Sequence, residues 1–464
     1  MRCFAILPFA VLGLSAPLHA APQLAVGFGE VDVSPEVGKR PVFIAGFGPN
    51  RPATKVHDPL MARAIVLSDG TTKIAFVCVD VVGLFHASVL RVREQLTGFA
   101  YVVVSSTHNH HGPDTMGLWG RSPFQTGVDL EYLRRVEAGA AKAVQLAGAA
   151  LKPAAAKIGT LKAPELLHDA RKPEVKHEDL VVLRFDAPGS DKPLGLLVQW
   201  NCHPETIDSK NTEVSSDFVG AAVQALKDRY QCPVAYLSGT VGGLMTSMHI
   251  DIKNDAGEVL KEGSFEKTAR YGVLLAKAAE KALSKSIPVE LTPFAFRTQD
   301  FLVPVDNGIY KFASQSKVFD RTMYAWTGDP TPKEYLATAD VSKPVAVKSE
   351  LGYLKLGELE IAAIPGEIYP ELVLGKVQTP ADPGADFPDA ATEPAIYDQL
   401  KGKHRMIVGL ANDELGYFIP KRQWDEKPPY CYGLKSKPYG EINSVGPEAA
   451  PIICNLFKEL AKPR

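Results

Sequence analysis

The stretch YVVVSSTHNHHGPD, residues 101–114, is the part of the sequence that decides the fold we expect. Its first four residues, 101–104, are apolar and mostly β-branched, which is typical of a buried strand. Small hydroxyl residues and three histidines follow at once, and Gly112-Pro113 then breaks the direction of the chain. Open α/β sheets place their ligand-binding groups at strand ends of this kind.

The three histidines of this stretch predict a metal site. Residues i and i+2 of an extended chain point to the same side, so His108 and His110 can face one point while His111 faces away. Two imidazoles that converge from one strand end suit a borderline metal ion such as Zn²⁺. The alternative is a set of hydrogen-bonded polar residues at a strand end, which requires no metal.

Outward from this strand, apolar strand-like runs alternate with amphipathic segments of helical period, which predicts an α/β fold. Adjacent runs joined by short turns, such as Asp69-Gly70, predict mixed β-sheets layered with helices, with the zinc site at strand ends. We expect helices over residues 86–96, 129–150, 218–229, 265–284 and 449–461. We expect strands over residues 24–33, 61–68, 73–82, 157–161, 180–186, 194–201, 234–237, 353–364 and 405–410.

The composition is that of a globular protein with a large core: of 464 residues, 45% are hydrophobic and 22% are charged. The formal net charge is −2 and no basic tract stands out, so nucleic acid is not expected as a partner. After the N-terminal segment, no apolar stretch is long enough to cross a bilayer, so we expect no transmembrane segment.

Residues 1–20 are typical of a secretory signal peptide. Arg2 supplies the positive start, residues 4–14 form a short apolar core, and the small residue Ala20 ends a Leu-His-Ala cleavage signal. We expect cleavage after Ala20 or Ala21 and a secreted or periplasmic protein. The alternatives are an uncleaved anchor and a plain hydrophobic N-terminus.

Five cysteines remain after the predicted signal peptide, an odd number at wide spacings, which does not indicate a disulfide framework. One bridge is conceivable, and Cys431–Cys454 is the pair we expect if it forms. Cys202 beside His203 suggests a thiolate nucleophile as another kind of active site. Because adjacent residues of a strand point in opposite directions, this pair is poorly placed to act together.

Polar residues also follow other predicted strands, and each by itself is weak evidence of function. His203 comes directly after the strand 194–201 and is a further candidate metal ligand. Asp80 interrupts an apolar run, where it either orients a histidine from behind or caps a strand end. Glu367 and Tyr417 follow later strands in the same way, so these groups can meet along one edge of the sheets.

The motif Thr107-His108-Asn109-His110-His111-Gly112-Pro113 resembles the Thr-His-Thr-His-Ser-Gly-Pro motif of the neutral/alkaline (non-lysosomal) ceramidases. Further segments resemble family segments in the same order along the chain: residues 198–203, 215–217, 365–367, 415–417 and 439–447. The resemblance covers most of the chain after residue 20. It implies a single catalytic domain over residues 21–464.

The resemblance also implies which side chains form the site. It implies zinc bound by His108, His203, Glu367 and Tyr417. It makes His110 a contact of the substrate or transition state, and it adds Arg171 and Tyr439 as catalytic residues.

From these residues we expect a secreted zinc-dependent hydrolase that cleaves an amide (N-acyl) bond of a small N-acyl or lipid-like substrate. Zinc-bound water would be the nucleophile, and His110 would carry the proton to the leaving nitrogen. Backbone N–H groups of the glycine loop 239–243, with Tyr439 or Arg171, would stabilise the oxyanion.

The family's loop Gly-Asp-Val-Ser-Pro appears here as Gly239-Thr240-Val241-Gly242-Gly243, so its serine is absent and glycines stand at 242 and 243. The ceramidases also carry a C-terminal β-domain, for which 464 residues leave no room. We therefore do not expect ceramide to be the best substrate. The alternatives are a catalytically impaired secreted binding protein of the same fold and a metal-dependent esterase. The sequence does not fix the acyl chain length or the oligomeric state.

Overall fold

The computed structural model describes Met1 and residues 23–463, and in it the chain builds three mixed β-sheets on one plan. In each sheet, three strands in sequence order pair antiparallel. A connection that contains helix then leads to a fourth strand, which returns parallel to the third and forms the edge of the sheet. The predicted α/β class with mixed sheets is confirmed. The predicted signal peptide lies, apart from Met1, outside the described residues.

The strands of the first sheet are β1 (Ala25–Asp32), β2 (Met61–Ser68), β3 (Lys73–Val79) and β4 (Tyr101–Ser106), with Lys152–Pro153 beside β1. Those of the second are β5 (Ala155–Lys162), β6 (Asp179–Asp186), β7 (Pro193–Trp200) and β8 (Val234–Ser238), with β9 (Ile287–Val289) beside β5. Those of the third are β10 (Phe294–Pro304), β11 (Val345–Leu356), β12 (Leu359–Ala363) and β13 (His404–Val408), with Met323–Ala325 beside β11. Short ladders join Lys55–Val56 to Glu213–Val214, His168–Asp169 to Met245–Thr246, and Glu367–Ile368 to Tyr417–Phe418.

The helices are α1 (His86–Glu94), α2 (Leu130–Ala149), α3 (Asp217–Tyr230), α4 (Phe265–Leu283), α5 (Gly308–Gln315), α6 (Pro370–Leu374), α7 (Ile396–Gln399), α8 (Tyr439–Ile442) and α9 (Ala449–Ala461). Single 3-10 turns lie at Pro164–Leu166, Lys421–Gln423 and Cys431–Gly433. The five helices expected from sequence all form, close to their expected bounds. The longest, α2, begins after Asp129, whose carboxylate accepts hydrogen bonds from the backbone N–H groups of Glu131 and Tyr132.

Alternate residues of each strand divide between two cores, as the period of two requires. In the first sheet, Ile65, Phe76 and Val103 face a core that all three sheets share. Their neighbours Val66 and Val77 face a second core beneath α1 and α2. The second sheet is covered on its outer side by α3 and α4, and the third by α6, α7 and α9. The three sheets therefore surround a common centre, with the helices outside.

The parallel edge strands β4, β8 and β13 meet at this centre. The backbone N–H of Gly409 donates to the carbonyl of Ser238 (3.0 Å), and the Ser238 hydroxyl donates to the carbonyl of Thr107 (2.9 Å). The N–H of Asn412 donates to the carbonyl of Val104 (2.7 Å). The carboxyl ends of strands from all three sheets consequently open onto one region.

Residues 353–364, expected as one strand, form two. The run includes the last residues of β11 and all of β12, and Gly357 joins them in a tight turn at φ +53°. The apolar positions change phase across the turn, from 354 and 356 to 359 and 361, so Gly357-Glu358 marked the turn and the expectation of one strand overlooked it.

The cysteines after the predicted signal peptide are all free and buried, so the expected bridge between Cys431 and Cys454 is wrong. Cys454 instead packs as a small apolar side chain of α9. The carboxylate of Asp80, expected to orient a histidine or to cap a strand, accepts hydrogen bonds from Arg63 (2.7 Å) and from the N–H of Met61 (2.9 Å). In the described part of the chain, no helix has the length and apolarity needed to cross a membrane.

Candidate metal centre

Each of the three sheets delivers part of one buried polar cluster. His108 follows β4 of the first sheet, and His203 follows β7 of the second. Glu367 follows β12 and Tyr417 follows β13 of the third. A two-residue parallel ladder pairs Glu367 with Tyr417, which fixes the register between these two side chains.

The four side chains expected to bind zinc converge. A carboxylate oxygen of Glu367 lies 3.3 Å from Nε2 of His108 and 3.0 Å from Nε2 of His203. The hydroxyl of Tyr417 lies 3.4 Å from the same nitrogen of His203. All four residues are buried.

Backbone carbonyls fix the orientation of both histidines. Nδ1 of His108 lies 2.7 Å from the carbonyl oxygen of Val82, and Nδ1 of His203 lies 2.9 Å from that of Met245. Each Nδ1–H donates to its carbonyl, so the Nε2 lone pairs point at the carboxylate of Glu367. This second contact is how proteins hold metal-binding imidazoles.

The charge state of the cluster depends on the same contacts. Burial would raise the pKa of Glu367, but the neighbouring His108 and His203 outweigh burial and lower it. Burial and the negative charge of Glu367 raise the pKa of Tyr417 well above its ordinary value. Two imidazole nitrogens, an ionised carboxylate and a phenol oxygen therefore face one point, and this donor set fits a zinc ion.

The backbone conformation that brings His108 and His110 together is not the extended one expected from the sequence. The strand ends at Ser106, and His108 has a left-handed backbone with φ +66°. The rings of His108 and His110 still converge, with centroids 4.9 Å apart. His111 does face away, with its Nε2 2.7 Å from the carbonyl oxygen of Ile207.

His110 lies beside the four predicted ligands. Ligand nitrogens of His108, His110 and His203 all lie within 4.8 Å of one another, so these three could themselves hold a metal ion. Nδ1 of His110 lies 3.3 Å from a carboxylate oxygen of Glu205, a residue that sequence reasoning missed. Burial lowers the pKa of His110 to about 4, so its imidazole is neutral near pH 7.

Tyr439 reaches the site and Arg171 lies behind it. The ring of Tyr439 lies 6.1 Å from that of Tyr417 and is half exposed. Arg171 makes a two-pronged ion pair with Glu441, with both N–O distances 2.7 Å, and donates to the carbonyl of Gln423 (3.1 Å). Because Glu441 belongs to the same helical turn as Tyr439, Arg171 anchors the element that carries this tyrosine.

The family model for neutral/alkaline non-lysosomal ceramidases, N-terminal, matches residues 24–255. The chain belongs to this family. The crystal structure of neutral ceramidase from Pseudomonas aeruginosa has the same fold, with 15% sequence identity and a TM-score of 0.70 over 95% of this chain and 74% of that one. A structure described as ceramidase complexed with C2 gives 14% identity and a TM-score of 0.68, over 95% and 75% of the two chains. No curated protein matches.

In this member of the family, the glycine loop packs against the strand that carries Glu367. The N–H of Gly242 donates to the carbonyl of Ile368 (3.0 Å), and a Cβ at Gly242 would lie 2.4 Å from that carbonyl. The N–H of Gly239 donates to the carbonyl of Trp200, and that of Thr240 to the Asn201 side chain. These three N–H groups have protein acceptors, so the expectation that they serve an oxyanion is wrong for them.

A small cavity of about 40 Å³ lies above the cluster, bordered by His108, His110, Glu367, Tyr417 and Tyr439. One wall of this cavity is formed by apolar side chains, and three further polar residues also line the cavity. The wall consists of Val82, Met116, Leu118 and Trp119, and the polar residues are Tyr310, Glu414 and Asn443. A larger cavity of about 460 Å³ lies beside α3 and α4 and is lined by none of the predicted site residues.

Proposed function

We propose that this protein is a zinc-dependent hydrolase of amide (N-acyl) bonds in lipid-like substrates. The observation that carries the proposal is the convergence of His108, His203, Glu367 and Tyr417 in a member of the ceramidase family. A structural role alone would not require two imidazoles, each anchored through Nδ1, to face one carboxylate.

These four residues would hold the zinc ion. When bound, zinc lowers the pKa of water to about 7 and polarises a carbonyl group, which is the chemistry that amide hydrolysis requires.

His110 is the residue we assign to proton movement. Its Nδ1 faces Glu205, so the proton is carried at Nε2, from the attacking water to the leaving nitrogen. The neutral imidazole is the form that can accept this proton, and general acid–base help of this kind contributes about 10²–10⁴-fold in rate.

Tyr439 is the residue we assign to substrate orientation. It borders the cavity and is half exposed, so its hydroxyl can contact a substrate that enters from solvent. Arg171 acts through Glu441 and keeps this helical turn in place.

The surroundings of the cavity support an apolar acyl group on the substrate. Beyond the apolar wall lies a group of exposed apolar side chains, here called the apolar rim: Phe124, Ile309, Phe312, Tyr439 and Ile442. The rings of Phe124 and Phe312 are in edge contact, 5.5 Å apart. Tyr310 and Asn443, the neighbours of Ile309 and Ile442, border the cavity, so the rim adjoins its mouth.

We propose single-chain N-acyl amines or N-acyl amino acids as better substrates than ceramide. The loop of residues 239–243 has no serine, and Gly242 is packed too tightly to carry a side chain without a backbone shift. We also propose export through the predicted signal peptide. N-terminal sequencing should then find a start at Ala21 or Pro22, and recovery of intact Met1 protein from the cytoplasm would contradict it.

The test combines metal analysis with activity. The purified protein should bind about one zinc and hydrolyse N-acyl compounds in a chelator-sensitive way. His108→Ala and His203→Ala should each lose zinc and activity, whereas His249→Asn, at an exposed histidine outside the site, should keep both. Full zinc in the His108→Ala and His203→Ala variants would place the site elsewhere. Zinc-loaded protein that cleaves esters alone would indicate an esterase, and one that cleaves nothing would indicate a binding protein.

A further inference from the structure

A further cavity, of about 620 Å³, lies between α1, the start of α2 and the end of α5, and is here called the lateral cavity. Its volume lies within the range of sites for small organic ligands, roughly 300–1,000 Å³. Its inner surface is apolar and its mouth carries polar and charged side chains. The inner surface consists of Phe85, Met116, Leu133, Val318 and Phe319, of which none is more than 7% exposed.

One side chain borders both the lateral cavity and the small cavity above the metal centre. Met116 lines both, and it belongs to an apolar cluster whose other members divide between them. Val82 and Leu118 of this cluster line the small cavity. Phe85 and Phe319 line the lateral cavity. The cluster is therefore the partition between the two cavities.

Met116 is the adaptable part of this partition, because the side chains around it are fixed. Gly117 has φ +120°, and a Cβ there would lie 2.1 Å from the carbonyl oxygen of Val318, so the segment docks closely on that residue. The rings of Phe85 and Phe319 are in edge contact, 5.3 Å apart. A methionine side chain is unbranched and has three rotatable bonds, so a change of rotamer at Met116 would open one cavity into the other.

The small cavity cannot hold a whole substrate. A water-sized group needs roughly 10–15 Å³ of such space, so a cavity of about 40 Å³ has room for the reacting amide group and little more. The acyl chain of the proposed substrate must therefore lie elsewhere. The lateral cavity adjoins the small one and offers the apolar surface that such a chain needs.

The charges at the mouth of the lateral cavity do not favour a charged occupant. Arg91 makes an ion pair with Glu137, and Arg321 makes one with Asp413, so both guanidinium groups are neutralised. The remaining charged side chains among the described residues of the lining are exposed and opposite in sign: Lys317 and Asp320. An uncharged chain suits this lining better than a charged amine part of the substrate.

We propose that the lateral cavity holds the acyl chain of the substrate, which passes Met116 on its way from the small cavity. The apolar rim adjoins the mouth of the lateral cavity as well, since Phe124 and Phe312 lie two residues from Thr126 and Ser314 of its lining. The cavity would then set the preference for acyl length. The inference rests on the proposed hydrolase function and adds the determinant of acyl-chain preference to it.

Ala87→Trp fills the lateral cavity at a distance from the metal centre. Ala87 lies on α1, is exposed and lines the cavity, so a larger side chain there need not displace the core. The matched control is Leu90→Trp, at a position of the same helix that is also exposed but lies outside the lining. Thr322→Trp, at another exposed position of the lining, replaces Ala87→Trp if that variant does not fold. Met116→Phe tests the passage with a bulkier and stiffer side chain.

The measured quantity is the ratio of kcat/KM for a dodecanoyl amide to kcat/KM for the acetyl amide of the same soluble amine. Each methylene group buried is worth about fourfold, so the unsubstituted protein should prefer the dodecanoyl amide by at least about 10²-fold. Ala87→Trp should lower the ratio by about 10–100-fold, which is the loss of about two or three methylene contacts. Met116→Phe should lower it by at least about tenfold, and Leu90→Trp should leave it unchanged. An unchanged ratio in Ala87→Trp or Met116→Phe, or an equal fall in Leu90→Trp, overturns the proposal.

A binding measurement separates this proposal from the proposed function. The probe is a ketone with the dodecanoyl chain in which a methylene replaces the amide nitrogen, so that no hydrolysis is possible. Calorimetry in one metal state should show at least about tenfold weaker binding to Ala87→Trp and unchanged binding to Leu90→Trp. Equal binding by all three proteins, or none by the unsubstituted protein, overturns the role of the lateral cavity. Absence of amide hydrolysis together with the expected binding pattern would instead refute the proposed function alone.

Discussion

Replacement of Glu371 by glutamine should make the protein more stable at every pH above about 4.5, with the gain growing until about pH 8. Glu371 lies in α6 and is 1% exposed. One oxygen accepts from the side-chain amide of Gln423 (3.2 Å), and the other is buried without a partner among the described residues. Burial, assisted by the negative charge of Asp169, raises the pKa of its carboxyl group from 4.5 to about 8.

The direction in which the free energy of unfolding changes with pH follows from proton linkage. The folded protein holds a proton on Glu371 between pH 4.5 and about 8, where the unfolded chain has released it. The stability that this group contributes is therefore fully present below pH 4.5 and is lost as the pH rises through about 8. At 1.36 kcal/mol per pH unit, that interval corresponds to about 4–5 kcal/mol at most.

Glutamine imitates the protonated carboxyl and does not titrate. Glu371→Gln should thus match the unsubstituted protein near pH 4.5 and exceed it by several kcal/mol at pH 9. Denaturant unfolding at intervals from pH 4.5 to 9, in one metal state, gives the difference in the free energy of unfolding at each pH. Glu266→Gln, at an exposed position of α4, is the matched control. Parallel stability curves for Glu371→Gln and the unsubstituted protein would refute this account of the buried carboxyl.

Three further outcomes are expected. His110→Ala should keep full zinc by elemental analysis while kcat falls by about 10²–10⁴-fold; unchanged turnover would remove His110 from the mechanism. Gly242→Ser, which restores a hydroxyl to the loop, should cost about 1–3 kcal/mol in a denaturant melt because its Cβ meets the carbonyl of Ile368. A stable serine variant with improved ceramide hydrolysis would show that the loop can move. Phe312→Asp, in the apolar rim, should reduce hydrolysis of a substrate presented in vesicles far more than hydrolysis of a soluble short-chain substrate. Equal reduction of both activities would argue against a lipid contact at the rim.

The sequence predicted the site because histidines and other polar residues directly follow the predicted strands. Residues 101–114 predicted a buried strand leading into converging histidines, and β4, His108 and His110 confirm both parts. The stated geometric reason was wrong, because His108 is not extended. Backbone dihedrals beyond a strand end depend on tertiary contacts, here the hydrogen bond from the N–H of Asn109 to the carbonyl of Val81 (3.1 Å), which a local pattern does not contain.

Glu205 and Glu414 were missed for a related reason. Each lies in a segment without periodicity, and an acid in a loop is usually exposed. Their positions come from contacts across the three sheets: Glu205 meets His110, and Glu414 occupies the space left by Gly83. Glu205 could have been noticed as the second residue after His203, whereas nothing local marks Glu414.

Because all three sheets contribute to the metal centre, metal binding would indicate whether the whole chain has folded. Residues for the site come from the first sheet, the second and the third, so no one of them can assemble it. An ion held by all three would bind the native state and not its parts, and at a thousand times its dissociation constant it would add about 4 kcal/mol to stability. The ion would then hold the three sheets together in addition to its role in catalysis. A chain with one sheet undocked would be recognisable as apoprotein before any loss of secondary structure could be seen.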